Sequence, residues 1–313
     1  MKKGIKYYFI IALKGMGMGA ADVVPGVSGG TIAFITGIYE ELINSIKSIN
    51  GNAIKLILRG RYKDFWQAIN GTFLLSLVLG IGISVVSLAR LLKYLLEDHP
   101  VLIWSFFFGL IVSSAFFVGK HIKRWNGGIV ISALAGVVIA YFVTVITPAE
   151  ANTTYWFIFL SGAIAICAMI LPGISGSFIL VLLGMYKFIL HSVSDFNFIV
   201  IAIFMSGALT GIIAFSNVLS WFLRKYYNQT IALLAGFMAG SLNKVWPWKK
   251  VVETFIDKHG VEKPLIEKNV LPATYEQLTG SNSMLLYAIL LGITGFFIIF
   301  LFEKFSPEEP KNK

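Results

Sequence analysis

Apolar stretches broken by short polar turns cover most of the chain. They fall at about 5–21, 27–46, 68–96, 101–119, 127–147, 153–171, 174–193, 198–223, 229–247 and 284–303. A helix rises about 1.5 Å per residue and a bilayer's hydrocarbon core is about 30 Å thick, so most of these runs are long enough to span it. The pattern predicts an all-α polytopic membrane protein. The first run is short, and it and its counterpart at 153–171 both end at a Pro-Gly break. Trp66, Trp104, Trp125, Trp156, Trp221, Trp246 and Trp248 sit at or near the ends of runs, where an aromatic belt places them.

The runs also repeat. The stretch DVVPGVSGGTIAFITGIYEELINSI at 22–46 returns as MILPGISGSFILVLLGMYKFILHSV at 169–193. At a constant offset of 147, Pro25, Gly26, Ser28, Gly29, Ile32, Gly37, Tyr39 and Ser45 fall on Pro172, Gly173, Ser175, Gly176, Ile179, Gly184, Tyr186 and Ser192. Farther on the offset becomes 127, matching Gly80, Leu92, Gly109 and Ser114 to Gly207, Leu219, Gly236 and Ser241. The change reflects a basic linker at 47–66 that the second half lacks. Two repeats result, 1–148 and 149–313, each with about five inserted segments. An odd number makes the second half enter from the opposite face, so the repeats are expected to be inverted. Charge parity is the same whether 5–46 and 153–193 cross fully or turn back midway; re-entrant hairpins are expected.

Lysine and arginine set the orientation. Lys2, Lys3 and Lys6, the linker with Lys47, Lys55, Arg59, Arg61 and Lys63, then Lys120, Lys123 and Arg124, and Arg224 with Lys225 all fall on one side, read as cytoplasmic. The turn Glu97-Asp98-His99-Pro100, the turn around Pro148 and Glu150, and the loop 248–283 fall outside. Both termini are then cytoplasmic. Mean hydropathy of +0.78, with 57% hydrophobic and 13% charged residues, agrees, since soluble domains carry about twice that charge fraction. The net charge of +10 sits in short loops, which reads as topology and not as a nucleic-acid surface. One cysteine, Cys167, excludes an intrachain disulfide, and His99, His121, His191 and His259 are too scattered for a metal site. No cofactor is expected. The first residues resemble a secretory signal, but the apolar core Tyr7–Leu13 is short, Lys14 follows at once and the repeated motif comes next, so the segment is read as retained.

The repeated motif carries the candidate chemistry. Proline ends one helix, glycine lets the chain turn, and the next helix opens with free N–H groups beside small hydroxyl residues. Two such tips from opposite sides meet near the midplane and offer donors to a phosphate or carboxylate. The candidate binding residues are Gly26, Ser28, Gly29, Gly30 and Thr31 in the first copy and Gly173, Ser175, Gly176 and Ser177 in the second. The plain alternative is that these small residues only let helices pack closely. Arg90 and Lys93 share a helix face and could meet an anionic headgroup or simply snorkel. Lys14 and Asp22, eight apart, flank the first tip and are the candidate coupling residues, Asp22 being the better candidate to take a proton or sodium ion; Met169 replaces Asp22 in the second copy. Glu40 and Glu41 read as solvated near the interface.

DVVPGVSGGTIAFITGIYEEL, the second LPGISGS and the later GFMAGSLNKVWPWKK together resemble the bacterial polyprenyl-phosphate transporters, catalogued as domain of unknown function 368. The resemblance covers nearly the whole chain. It implies a cytoplasmic-membrane protein that returns undecaprenyl phosphate, the lipid carrier of cell-wall precursors, from the outer to the inner leaflet. It also implies inverted repeats with re-entrant helices, and it leaves open which residues touch phosphate.

Three rival functions fit the residues less well. Gly26-Val27-Ser28-Gly29-Gly30 fits G-x-S-x-G, but His191 lies sixteen residues past Ser175 and Asn44 stands in the matching place of the first copy, so a serine protease lacks its base. LPGISGS is similar to the P-G-x-S-R-S-G stretch of undecaprenyl-pyrophosphate phosphatases. Here Gly176 stands in place of the arginine and the acidic E-x-x-x-E segment is missing, leaving little to stabilise phosphoryl transfer. A small-anion carrier or channel needs a continuous polar pore, whereas the 26 phenylalanines favour contact with lipid.

Overall fold

The computed structural model describes residues 4–23, 28–122, 124–146, 149–256 and 262–305. Pro25, Gly26, Pro148 and both chain ends lie outside the described residues. The first element, α1 (Ile5–Val23), leads into the first break, and α2 (Gly29–Ile35) runs back antiparallel along it. Three contacts fix that register: the Gly29 amide meets Asp22, Ile32 packs against Gly17, and the Thr36 carbonyl meets Lys14. At Gly37, with φ +71°, the chain turns out of α2 and starts α3 (Tyr39–Lys47). A glycine in the left-handed region stops a helix without steric cost.

The basic linker is not a loop. It holds two short helices, α4 (Gly51–Leu58) and α5 (Tyr62–Ala68), the first capped by Asn50. Three long helices follow: α6 (Gly71–Asp98), α7 (Pro100–Lys120) and α8 (Gly127–Val145). The second half repeats the order with α9 (Tyr155–Ile170), α10 (Gly176–Leu182), α11 (Tyr186–Ser194), α12 (Phe198–Lys225) and α13 (Tyr227–Ser241). Here Gly184, at φ +68°, occupies the place of Gly37, and 176–182 and 186–193 are bent by 114°. The apolar runs 27–46 and 174–193, expected as single helical stretches, are therefore each two helices. A period of apolar residues continues through a glycine break, which is why hydropathy alone does not reveal it.

Between α13 and the last helix, α15 (Leu285–Phe305), lies an insertion with the one strand pair among the described residues, an antiparallel hairpin of β1 (Lys249–Ile256) and β2 (Glu262–Asn269), followed by the short helix α14 (Pro272–Thr279). Two indoles pin it to the helices: Trp246 Nε1 donates to Val270 O and Trp248 Nε1 to Ser283 O, both at 2.9 Å. Residues 71–88 of α6, together with α7, α8 and α12, are long and apolar enough to cross a bilayer, and the bent α10–α11 pair is a fifth candidate.

Close helix pairs recur at matched positions. Gly15 and Gly80 let α1 and α6 touch backbone to backbone, at Leu77 and Ala12. Gly162 and Gly207 do the same for α9 and α12, at Phe204 and Phe159. A Cβ at any of the four would collide with a carbonyl oxygen. Likewise α7 meets α15 through Gly109 and Gly292, and α13 meets α8 through Gly236 and Gly136. Without a hydrophobic drive inside lipid, such small-residue approaches supply the packing energy between helices. Many long apolar side chains point outward, Val86 on α6 being 80% exposed, as suits a lipid-facing surface.

Candidate functional site

The two hairpin tips touch. Ser28 Oγ donates toward the carbonyl oxygens of Met169 (3.0 Å) and Leu171 (3.2 Å). Tyr39 OH donates to Ile170 O at 3.2 Å, and the Gly173 amide donates to Thr31 Oγ1 at 3.0 Å. Gly30 is required at this crossing, since a Cβ there would strike the Ile170 carbonyl. Gly173, at φ +84°, turns the second tip against Phe237 and Met238 of α13. Proline and the turn break the end of α9, and the freed carbonyls of residues 169–171 become the acceptors that Ser28 and Tyr39 occupy. Ser28, Thr31 and Ser175 are buried, so these bonds form out of contact with water.

At the first tip the start of α2 is already filled. The Gly29 amide donates to Asp22 Oδ1 at 2.7 Å, the Gly30 amide to Ser28 Oγ at 3.1 Å and the Thr31 amide to Ser28 O at 2.9 Å. The groups expected to await an external anion thus hold an internal one. Lys14 closes the other end by donating to the Thr36 carbonyl at the C-terminus of α2. The eight-residue spacing of Lys14 and Asp22 on α1 spans about 12 Å, close to the length of α2. An acid therefore sits at the positive pole of α2 and a base at its negative pole.

The second tip differs. Met169 takes Asp22's place and packs its side chain against Gly176, as Asp22 lies against Gly29. Ser175 makes no side-chain cap; its hydroxyl pairs with that of Ser177 at 2.8 Å. One helical residue further, the Phe178 ring carries the Lys244 ammonium 4.6 Å from its centre. The second tip thus has hydroxyls and a nearby cation, and no carboxylate of its own in the position Asp22 fills.

The other sequence candidates are distributed as follows. Gly26 lies outside the described residues. Arg90 and Lys93 are in α6, on the stretch leading to Asp98, and their side chains lie outside what is described. Glu41, expected to be solvated, instead accepts from Tyr7 OH at 2.6 Å and from Asn70 Nδ2 at 2.7 Å. No group of His, Cys, Asp and Glu suited to a metal occurs among the described residues.

Lys244 and Lys249 both stand in GFMAGSLNKVWPWKK, where nothing local marks them as functional. Lys249 Nζ lies 4.0 Å from the centre of the Trp104 ring and 3.4 Å from Glu267 Oε2. Its side chain is only 7% exposed. Burial away from water pushes the Lys249 ammonium down to about 8, against the pull of Glu267. A lysine next to tryptophans at a helix end reads as an interfacial anchor; only the fold reveals that it is covered.

Residues 18–263 match the family described as VCA0040-like, undecaprenyl phosphate translocase-like. The chain is 44% identical over 299 residues to a polyprenyl-phosphate transporter of Vibrio cholerae serotype O1, covering 96% of this chain and 97% of that protein. It is 33% identical over 260 residues to a polyprenyl-phosphate transporter of Staphylococcus aureus, covering 77% of this chain and 87% of that one. No solved structure matches.

Proposed function

The chain belongs to the undecaprenyl phosphate translocase-like family, and from that premise we propose that it moves undecaprenyl phosphate from the outer to the inner leaflet of the bacterial cytoplasmic membrane. It is a transporter of polyprenyl phosphate and not an enzyme, as its relatives are. The two halves are inverted repeats, each contributing a re-entrant hairpin, and the headgroup is handled where the hairpin tips meet. The single observation that carries this reading is the contact of Ser28 and Thr31 with residues 169–173. Two broken helices joined across a repeat axis are the usual setting of a transporter's substrate site.

The asymmetry of the tips supports an assignment of roles. The second tip, with Ser175, Ser177, Gly173, Gly176 and the nearby Lys244, receives the phosphate. The first tip is the coupling element: a proton or sodium ion on Asp22 neutralises the carboxylate and frees the Gly29 amide, so that Gly26, Ser28, Gly29, Gly30 and Thr31 can turn their donors to the phosphate. Arg90 and Lys93 serve the headgroup near the end of α6. The Ser28–Met169 and Thr31–Gly173 bonds hold the two tips together.

Leaflet exchange of a fluorescent polyprenyl phosphate in liposomes containing the purified protein tests the reading, with orthophosphate measured in parallel. Exchange without orthophosphate is the expected result. Orthophosphate release would make the protein a phosphatase, and passage of inorganic phosphate without lipid exchange would make it an anion carrier.

A further inference from the structure

We propose that Lys249, Lys244 and Glu267, together with the aromatic groove beside them, form a loading site for one anionic prenyl lipid, its phosphate on the lysines and its chain between α7 and α15. This rests on the transport reading and adds where the substrate is first taken up.

The groove is a cavity of about 470 Å³ between α7, α15 and the Trp246–Trp248 segment. That volume lies within the range of about 300–1,000 Å³ usual for ligand pockets. Phe108, Val112, Trp246, Trp248, Ile293 and Phe297 make it apolar. Ile293 is 48% and Phe297 54% exposed, so the groove opens sideways on the face that lipid covers. A hydrocarbon chain can enter there without crossing water.

Charge lies beside the groove, next to Trp104, one turn of α7 before the lining residue Phe108. Trp248 lines it, and the next residue is Lys249, on β1, with its cation on the Trp104 ring. Glu267 on β2 is the acid that acts on both Lys249 and Lys244. Two ammonium groups face one carboxylate, so the cluster carries a net positive charge in a covered position. A buried charge without a full counter-charge is costly, and an anion bound there would offset that cost. Free phosphate matches the lysines and has no use for the groove. A neutral prenyl alcohol matches the groove and leaves the lysines as they are. A prenyl phosphate, with charge and apolar chain joined at one atom, matches both.

The cluster also leads toward the transport site, because Lys244 stands over Phe178, in the first turn of α10 beside Ser175 and Ser177. With loop 248–283 on the outer side, as the charge pattern predicts, loading occurs from the outer leaflet and the headgroup passes from Lys249 to Lys244 to the second tip.

Quenching of the tryptophan fluorescence of the purified full-length protein in nanodiscs, titrated with farnesyl phosphate, farnesol or inorganic phosphate, tests this. Farnesyl phosphate should saturate, and the other two should bind at least about tenfold more weakly. Lys249→Gln and the groove-filling Ile293→Trp should each weaken farnesyl phosphate binding about tenfold. Glu267→Gln should strengthen it, a gain that misfolding does not produce. The proposal is overturned if farnesol binds as tightly as farnesyl phosphate, if Ile293→Trp leaves binding unchanged, or if Glu267→Gln weakens it. Unchanged binding in these variants alongside normal leaflet exchange would remove the loading site and leave the transport reading intact. Absence of leaflet exchange in the wild-type protein, with binding as expected, would remove the transport reading alone.

Discussion

Asp22 Oδ1 accepts the Gly29 amide proton at 2.7 Å, and at the matching place of the second repeat Met169 lies against Gly176. One repeat therefore carries a built-in anion at its tip, while the other presents a thioether in that place. If the tips share a phosphate, the carboxylate is its competitor, and the difference between one side chain and its repeat partner decides which tip is open to the substrate.

Met169→Asp should therefore place a carboxylate at the second tip, in the position Asp22 holds at the first. Leaflet exchange is expected to fall at least about tenfold, because an anion held by the protein excludes another by repulsion of several kcal/mol in a covered site. Asp22→Asn keeps an acceptor for the Gly29 amide and removes the charge. It should abolish dependence on a proton or sodium gradient while retaining headgroup binding. Unaltered gradient dependence in Asp22→Asn would remove Asp22 from the coupling role.

Ser28→Ala and Ser175→Ala should differ, although they are repeat partners. Ser28 joins the tips and accepts the Gly30 amide, so its loss should lower stability by about 1–3 kcal/mol, read as a drop in melting temperature. Ser175 bonds Ser177, and its loss should act mainly on headgroup binding. The double variant should show both effects. Equal melting temperatures for wild type and Ser28→Ala would count against the tip contact.

Gly30→Ala tests how closely the tips must approach. The added methyl meets the Ile170 carbonyl, and the resulting overpacking should cost about 1–3 kcal/mol. Gly82→Ala is the control: nothing lies within 4 Å of its Cβ, and alanine in a helix interior is favoured over glycine by about 1 kcal/mol. A thermal melt of the two variants should move in opposite directions.

Acidity separates binding from stability at Lys249. With its pKa near 8 in the fold against 10.5 ordinarily, the unfolded chain binds more protons between those values, so stability rises with pH across that window. Headgroup binding moves the other way. The phosphate becomes a dianion above about pH 6. Lys249, faced by Glu267, Lys244 and the Trp104 ring, loses its charge above about 8. Affinity for farnesyl phosphate should therefore be greatest between about 6 and 8, and Lys249→Gln should remove the alkaline fall. A flat profile from pH 7 to 9.5 in the wild-type protein would show that the lysine does not hold the phosphate.

Much of this was legible in the residue order. The pairing of Ser28-Gly29 with Ser175-Gly176 marks the starts of α2 and α10, and the glycines at 80, 109, 207 and 236, matched by the change of offset, are among the points of closest helix contact. The breaks at Gly37 and Gly184 were equally present in the motif but hidden by uninterrupted apolar residues on either side. Glu41 illustrates the opposite limit: its partners Tyr7 and Asn70 are 34 and 29 residues away, and nothing local announces them.

Periodicity, turn chemistry and lysine placement are properties of neighbouring residues, so the order of residues by itself determined the long apolar helices, their membrane setting and the repeated motif. Which groups face each other depends on packing, in the case of Ser28 and Met169 across 141 residues. Only the tertiary structure could decide that Ser28 meets Met169, that Asp22 fills the pole of its own hairpin, and that Lys249 is buried on Trp104 beside Glu267. The physical reason is that burial and hydrogen-bond partnership belong to the assembled interior, where a side chain's surroundings are set by distant helices and not by its neighbours in the chain.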